Sequence, residues 1–223
     1  MSFLQNHDQV GNRAFGERLT RLAPAPAVKA ATAILLLAPS PPLLFMGQEW
    51  GATQPFPFFC DFGGELADAV TAGRRREFAR FPEFSDPRAR ERIPDPNAED
   101  TFTSACLDWN ESRAAPARAW RQFHSELLAV RRRVIVPRLH ALTADASGFI
   151  LLGDRALRAH WRFDDGARLT LLANLSDDAV SGVERPPGEL MYALPPLSAK
   201  VSDGHLPAWS VWWFLDHATG GRS

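Results

Sequence analysis

The sequence predicts an α/β segment followed by an all-β one, and three observations carry that prediction. Apolar runs in the first fifty residues follow the order strand, helix, strand; a helical stripe runs on from Pro116; and past Pro137 the hydrophobic period changes from helical to alternating. The change of period sets the boundary, so the expected domains are residues 1–136 and 137–223.

Phe3-Leu4-Gln5 reads as a short buried strand that ends in Asn6-His7-Asp8-Gln9, dense polar chemistry for a strand end. In a parallel α/β barrel the C-terminal strand ends carry the working residues, which makes this run a candidate site with Asp8 as its charged centre. A local reading competes with it: Asn6 or Asp8 caps the helix that follows, since both residue types are good N-caps. Pro24 and Pro26 then mark a helix start, and residues 28–37 supply a helix that is apolar nearly all round and hence buried. Pro39-Ser40-Pro41-Pro42 ends it. Leu43-Leu44-Phe45-Met46 suits a second parallel strand covered on both faces, and Gly47, Gln48 and Glu49 follow on the same side as Asp8.

Residues 50–61 form a loop rich in aromatics, which either stack on a flat apolar ligand face or plug the end of the α/β layer. Residues 65–81 read as a helix with Leu66, Val70 and Phe78 apolar and Arg74-Arg75-Arg76 on its outer face. Residues 82–100, rich in proline and charge, read as an ordered loop excursion. Pro116 opens the clearest helix, with Trp120, Phe123, Leu127, Val130 and Val134 as its core stripe; Arg131-Arg132-Arg133 near its end complements the helix dipole. Beyond it, Leu157, Ala159, Trp161 and Phe163 alternate with Arg158, His160 and Arg162. After an Asp165-Gly166 turn, Leu169, Leu171 and Ala173 continue the face, which is a hairpin. Further strands are expected around Val180, over 189–194 and over 209–215, together a small antiparallel β-sandwich in which His160 is a surface residue.

Composition narrows the function. A formal net charge of -1 with 45% hydrophobic residues is ordinary for a globular chain and offers no positive field for nucleic acid. Cys60 and Cys106 lack the spacing of a metal site or a disulfide framework, so neither a metal nor another cofactor is expected. The most apolar stretch, residues 30–38, is far shorter than a membrane span, and no leader pattern precedes Phe3, which makes the cytoplasm the expected compartment.

Phe3-Leu4-Gln5-Asn6-His7-Asp8-Gln9-Val10-Gly11-Asn12-Arg13 resembles the last catalytic signature of the α-amylase clan of glycoside hydrolases, at the end of the seventh barrel strand. The extension Ala14-Phe15-Gly16-Glu17-Arg18-Leu19, with Met46-Gly47-Gln48-Glu49-Trp50-Gly51-Ala52 and Pro55-Phe56-Pro57-Phe58-Phe59-Cys60-Asp61-Phe62, is similar to the malto-oligosyltrehalose trehalohydrolase family within that clan. The resemblance is strongest over residues 1–112; Gln48 stands where an acid is commoner and Cys60 where a polar residue is expected.

The resemblance implies that residues 1–136 are the C-terminal part of a (β/α)8 barrel, its last two strands and their helices, in a longer retaining enzyme. That enzyme would hydrolyse the α-1,4 bond next to the terminal trehalose of maltooligosyl trehalose. Asp8 would be the transition-state stabiliser, with His7, Asn6, Gln9 and Arg13 around the same sugar and Trp50, Phe59 and Asp61 at its trehalose end. The nucleophile and the acid/base come from barrel strands four and five in the clan, and neither strand is among these residues, so an N-terminal fragment completing the barrel is an expected partner. The acid at the position of Glu49 is structural in the family, which argues against an Asp8 and Glu49 catalytic pair. The alternatives are a non-catalytic glucan-binding fragment and a related clan enzyme such as a glycogen-branching enzyme.

Overall fold

In the computed structural model, residues 1–196 and 204–217 are described. The helices are α1 (His7–Gly11), α2 (Leu19–Leu22), α3 (Ala25–Leu37), α4 (Gly64–Phe78), α5 (Pro87–Glu91), α6 (Glu99–Ser104) and α7 (Ala115–Val130). They precede strands β1 (Leu142–Leu151), β2 (Ala156–Phe163), β3 (Arg168–Asn174), β4 (Glu189–Leu194) and β5 (Ser210–Asp216). The chain divides into two compact units, one from residues 1–2, 24–42 and 123 onward, the other from residues 3–23 and 43–122.

In the first unit the five strands form one antiparallel sheet in the order β1-β2-β3-β5-β4. The expected sandwich is corrected to this single sheet among the described residues. The segment around Val180 contributes only an isolated antiparallel bridge to Leu206. That segment takes the place of a second sheet: Val183 and Leu206 pack with Leu172, Trp212 and Phe214 into one buried cluster. Alternation sends Trp213 to the opposite face, where it is fully buried and stacks on Trp161 with ring centroids 5.5 Å apart. The β2–β3 hairpin turns where the sequence places it, because Gly166 takes φ 81°, a left-handed conformation that side chains resist. β1 escapes sequence reading since it is an edge strand without clean alternation, and its Phe149 is 71% exposed.

Helix α3 begins after Pro24 and contacts β5. Its C-terminal carbonyls, left without intrahelical donors, are satisfied from α7's continuation. The buried Arg131 guanidinium donates to the carbonyls of Leu36 (3.0 Å), Ala38 (2.5 Å), Pro39 (3.3 Å) and Ser40 (3.0 Å). Arg131 therefore serves the end of α3, a correction to its expected role at its own helix terminus. It stands in a π-helical segment, Arg131–Ile135, that interrupts the run into Pro137.

The two expected parallel strands appear only as a bridge, Ser2 with Pro42, closed by the Ser2 N–H to Pro41 carbonyl bond of 2.9 Å. Phe3-Leu4-Gln5 and Leu43-Leu44-Phe45-Met46 carry no ladder beyond it, as expected of a parallel pair with no third strand beside it among the described residues. Residues 82–100 are not one loop: α5 and the start of α6 lie there, α5 opened by Asp86 accepting from the Arg88 N–H at 3.0 Å.

Tyr192 on β4, the one tyrosine of the sequence, provides a readout of this unit. Burial, with the Glu126 charge as the lesser cause, pushes its phenol up to about 12. Because the unfolded phenol ionises near about 10, Tyr192 contributes its full stability below that pH, and the contribution is lost as pH rises through about 12. Ultraviolet difference titration should give a tyrosinate midpoint near the upper value; a midpoint at the free-phenol value would contradict the packing of β4.

Candidate functional site

The Asn6-His7-Asp8 run does not close a strand. It opens α1, with Asn6 as N-cap: its backbone is extended and its side-chain oxygen accepts from the Gln9 N–H at 2.8 Å. The capping reading is the one the structure shows, and the cap turns His7 and Asp8 outward. Both side chains are 70% exposed and pair at 3.2 Å, His7 Nε2 to Asp8 Oδ1. Gln9 is also exposed, while Val10 and Gly11 turn inward.

The five residues of α1 are too few to hold a helix alone, and buried side chains fix its flanks. Gln5, 2% exposed, accepts from the Leu19 N–H at 3.0 Å and closes the loop that carries α1. Arg18, 1% exposed, donates from Nε to the Gln54 carbonyl (2.5 Å) and from Nη1 to the Met46 carbonyl (2.7 Å), with its guanidinium 5.2 Å from the Phe45 ring centroid. Burial lowers its pKa, and the charges of Glu49 and Glu111 act in the opposite sense. Glu49, in the 3-10 turn Gln48–Trp50, is thus one of two carboxylates whose charge favours the buried arginine. On the other side, Arg74 of α4 donates to the carbonyls of Gly11 (2.6 Å) and Arg13 (2.8 Å). Arg74 is buried, which corrects its reading as part of a solvated face. The Arg13 guanidinium donates to the Glu17 carbonyl.

The aromatic loop lies directly against this segment. Phe56 donates its N–H to the Gly16 carbonyl at 2.8 Å, and Gly16 has φ 64° with the backbone of Phe56 and Pro57 where a Cβ would stand, 2.2 Å from the Pro57 nitrogen. Phe59 is wedged edge-on between Phe56 (5.6 Å, 73°) and Phe102 (5.2 Å, 68°). Asp61 is exposed. Its neighbours are clasped by the turn at Asp95: the Cys60 N–H reaches the Pro96 carbonyl at 2.8 Å and the Phe62 N–H reaches Asn97 Oδ1 at 3.1 Å. Asp95 accepts from Thr71 Oγ1 (2.7 Å) and the Asn97 N–H (2.9 Å), which hold its carboxyl below the usual range. Burial raises the Cys60 thiol, aided by Asp95 and Asp61.

Trp50 departs from expectation. It is 4% exposed, packed with Ala52 and Ala117 and covered by Trp109 at 5.2 Å, so its indole presents no free face to a sugar. The exposed indole is that of Trp109, at 67%. Sequence reading named Gly16 and Arg18 only within the resembling motif, set Arg74 on an outer face and gave no role to Asn97. For Arg74 a signal existed: it continues the 66, 70, 78 stripe at four-residue spacing. Among the described residues, no group of three or more His, Cys, Asp or Glu is placed to hold a metal ion, and no helix is long and apolar enough to cross a membrane.

Comparison with known proteins gives first a class. Residues 144–213 match a family described as "Domain of unknown function (DUF3459)". A solved putative α-amylase from Salmonella typhimurium is 41% identical with a TM-score of 0.85, over 96% of this chain and 35% of that one. A trehalose-6-phosphate hydrolase mutant from Bacillus licheniformis, 14% identical with a TM-score of 0.57 over 96% of this chain and 42% of that one, shares the fold alone. The chain is similar to α-amylase-family glycoside hydrolases.

Within that class the resemblance is to malto-oligosyltrehalose trehalohydrolases, over a C-terminal portion of them. That of Deinococcus radiodurans is 44% identical over 129 residues, 58% of this chain and 21% of the relative. That of Rhizobium sp. (strain M-11) is 36% identical over 219 residues, 88% of this chain and 33% of the relative. The chain spans about a third or less of the length of the curated relatives it matches.

The contact between the two loops is testable. Gly16→Ala places a methyl against backbone in a left-handed residue and should destabilise the unit of residues 3–23 and 43–122 by about 3 kcal/mol. Faster hydrogen exchange across residues 12–20 and 54–60 is the expected result, and wild-type exchange would remove the contact from the account.

Proposed function

We propose that this chain supplies the C-terminal part of the barrel of a retaining glycoside hydrolase that acts on maltooligosyl trehalose and releases trehalose. The observation that carries the reading is the resemblance to trehalohydrolases, 36% identity across 88% of the chain in one case, together with an exposed Asp8 on a backbone fixed at both flanks. In this reading Asp8 is the fixed negative charge beside the developing oxocarbenium ion, and His7 donates to the hydroxyls of the same sugar. Asn6 sets the turn that presents them, and Gln9 is free to contact the sugar from the same exposed side. Arg13 contributes by fixing the loop that follows. Phe59 and Asp61 recognise the trehalose end of the α-1,4-glucan substrate. The nucleophile and acid/base of the double displacement come from residues outside this sequence, on a fragment or segment that completes the barrel.

In an enzyme so completed, Asp8→Asn should lower kcat by at least about 10³-fold with thermal stability little changed, the upper range for the loss of one preorganised electrostatic group. Wild-type turnover in that variant would refute the assignment. The 223-residue chain by itself should release no trehalose from maltooligosyl trehalose. Robust release that is abolished by Glu49→Gln would replace this reading with an Asp8 and Glu49 pair.

Recognition of the trehalose end has its own measurement, the ratio of kcat/KM on maltooligosyl trehalose to that on plain maltooligosaccharide. Phe59→Ala and Asp61→Ala should each shrink it severalfold, whereas an unchanged ratio in both leaves the loop as a structural plug.

A further inference from the structure

Arg74 lies outside the motif that carries Asp8, sixty-odd residues downstream on α4, yet its buried side chain ends on the backbone that follows Asp8. The guanidinium is stacked near two rings, 4.8 Å from the Phe78 centroid and 5.6 Å from that of Phe58, and meets Glu77 at 3.5 Å. Its Nη2 bridges the carbonyls of Gly11 and Arg13. Gly11 is the last residue of α1, and the carbonyls of the last turn of a helix have no intrahelical donor.

We infer that Arg74 is the positioning residue of the Asn6-His7-Asp8 turn, setting the place of Asp8 through the backbone of Gly11 and Arg13. The role rests on the glycoside hydrolase reading above. The argument is one of constraint. At its N-terminal end α1 is fixed by the Asn6 cap and by Gln5 bonded to Leu19; at its C-terminal end the fixed points are the two carbonyls that Arg74 holds. Between them stand one helical turn and the His7–Asp8 pair, so moving Gly11 moves Asp8. A cation at the end of α1 also favours the helical carbonyls electrostatically. Lysine reproduces the charge but not the flat fork between two rings, so it substitutes in part.

The test uses the 223-residue chain and hydrogen–deuterium exchange read by mass spectrometry, with maltotriose as probe. In the wild type, peptides covering residues 6–17 should exchange slowly, and excess maltotriose should slow them further. Arg74→Ala should speed these peptides at least about tenfold, as loss of a charge-assisted bond pair to buried carbonyls implies, and remove the maltotriose effect. Arg74→Lys should restore part of both. Arg76→Ala, exposed on the same helix, should change neither, and peptides of β3 and β5 should be unaffected throughout. Should Arg74→Ala also lose protection across α4, Arg74→Gln, which keeps the stem and one amide donor, is read in its place. Wild-type exchange of residues 6–17 in the alanine variant, or a lysine variant no better than alanine, overturns the positioning role. A wild-type chain indifferent to maltotriose counts against the glycoside hydrolase reading instead, and the exchange rates still decide Arg74.

Discussion

Guanidinium groups buried against backbone carbonyls are the constraint on which the rest of this structure depends. Arg18, Arg74 and Arg131 are each at most 8% exposed, and each ends on two to four carbonyl oxygens. An unpaired buried charge costs several kcal/mol, so these positions are tolerable only because a guanidinium carries enough fixed donors to satisfy several acceptors at once. What the arginines satisfy are the acceptors that secondary structure leaves over: the end of α1, the turn after Phe45, and the end of α3 with the Pro39-Ser40 stretch. Burial lowers the pKa of all three, and carboxylate charges act against it at Arg18 and Arg74.

This arrangement explains how a short, exposed and charged turn can be rigid. Asp8 and His7 gain nothing from the core, yet the backbone on either side of them is held by Gln5, Arg18 and Arg74 and is pressed by Gly16 against the aromatic loop. The loop is held in turn by the Asp95-Pro96-Asn97 turn, so Phe59 and Asp61 are positioned by polar bonds and not by apolar burial alone. Groups that act on a developing charge must be in place before it develops, and a turn fixed by buried hydrogen bonds has little reorganisation left to undergo.

Much of this is legible in the sequence, for reasons that differ between elements. The hairpin at Asp165-Gly166 and the helix after Pro24 announce themselves through turn chemistry and proline, which act locally. The Asn6-His7-Asp8 run is conspicuous because polar groups crowd after an apolar pair, although its cap geometry and the absence of a strand ladder depend on what pairs alongside. The buried arginines are hidden by their own charge. Arg74 falls on the stripe of Val70 and Phe78, and Arg131 lies four residues after Leu127, so period places both inward while hydrophobicity places both outward. Period is the better guide wherever orphan carbonyls wait at the far end, and those carbonyls belong to elements distant in sequence. Trp50 shows the converse error, an aromatic on a loop that sequence offers to a ligand and the fold gives to the core.

The guanidinium clamps can be observed directly through the nitrogen-bound protons of the arginine side chains by NMR. If Arg18, Arg74 and Arg131 hold carbonyls in the interior, their side-chain protons should resolve as separate, shifted signals that exchange with water far more slowly than those of exposed arginines such as Arg76 and Arg132. Three guanidinium groups whose protons average and exchange at the rate of the exposed ones would contradict the account.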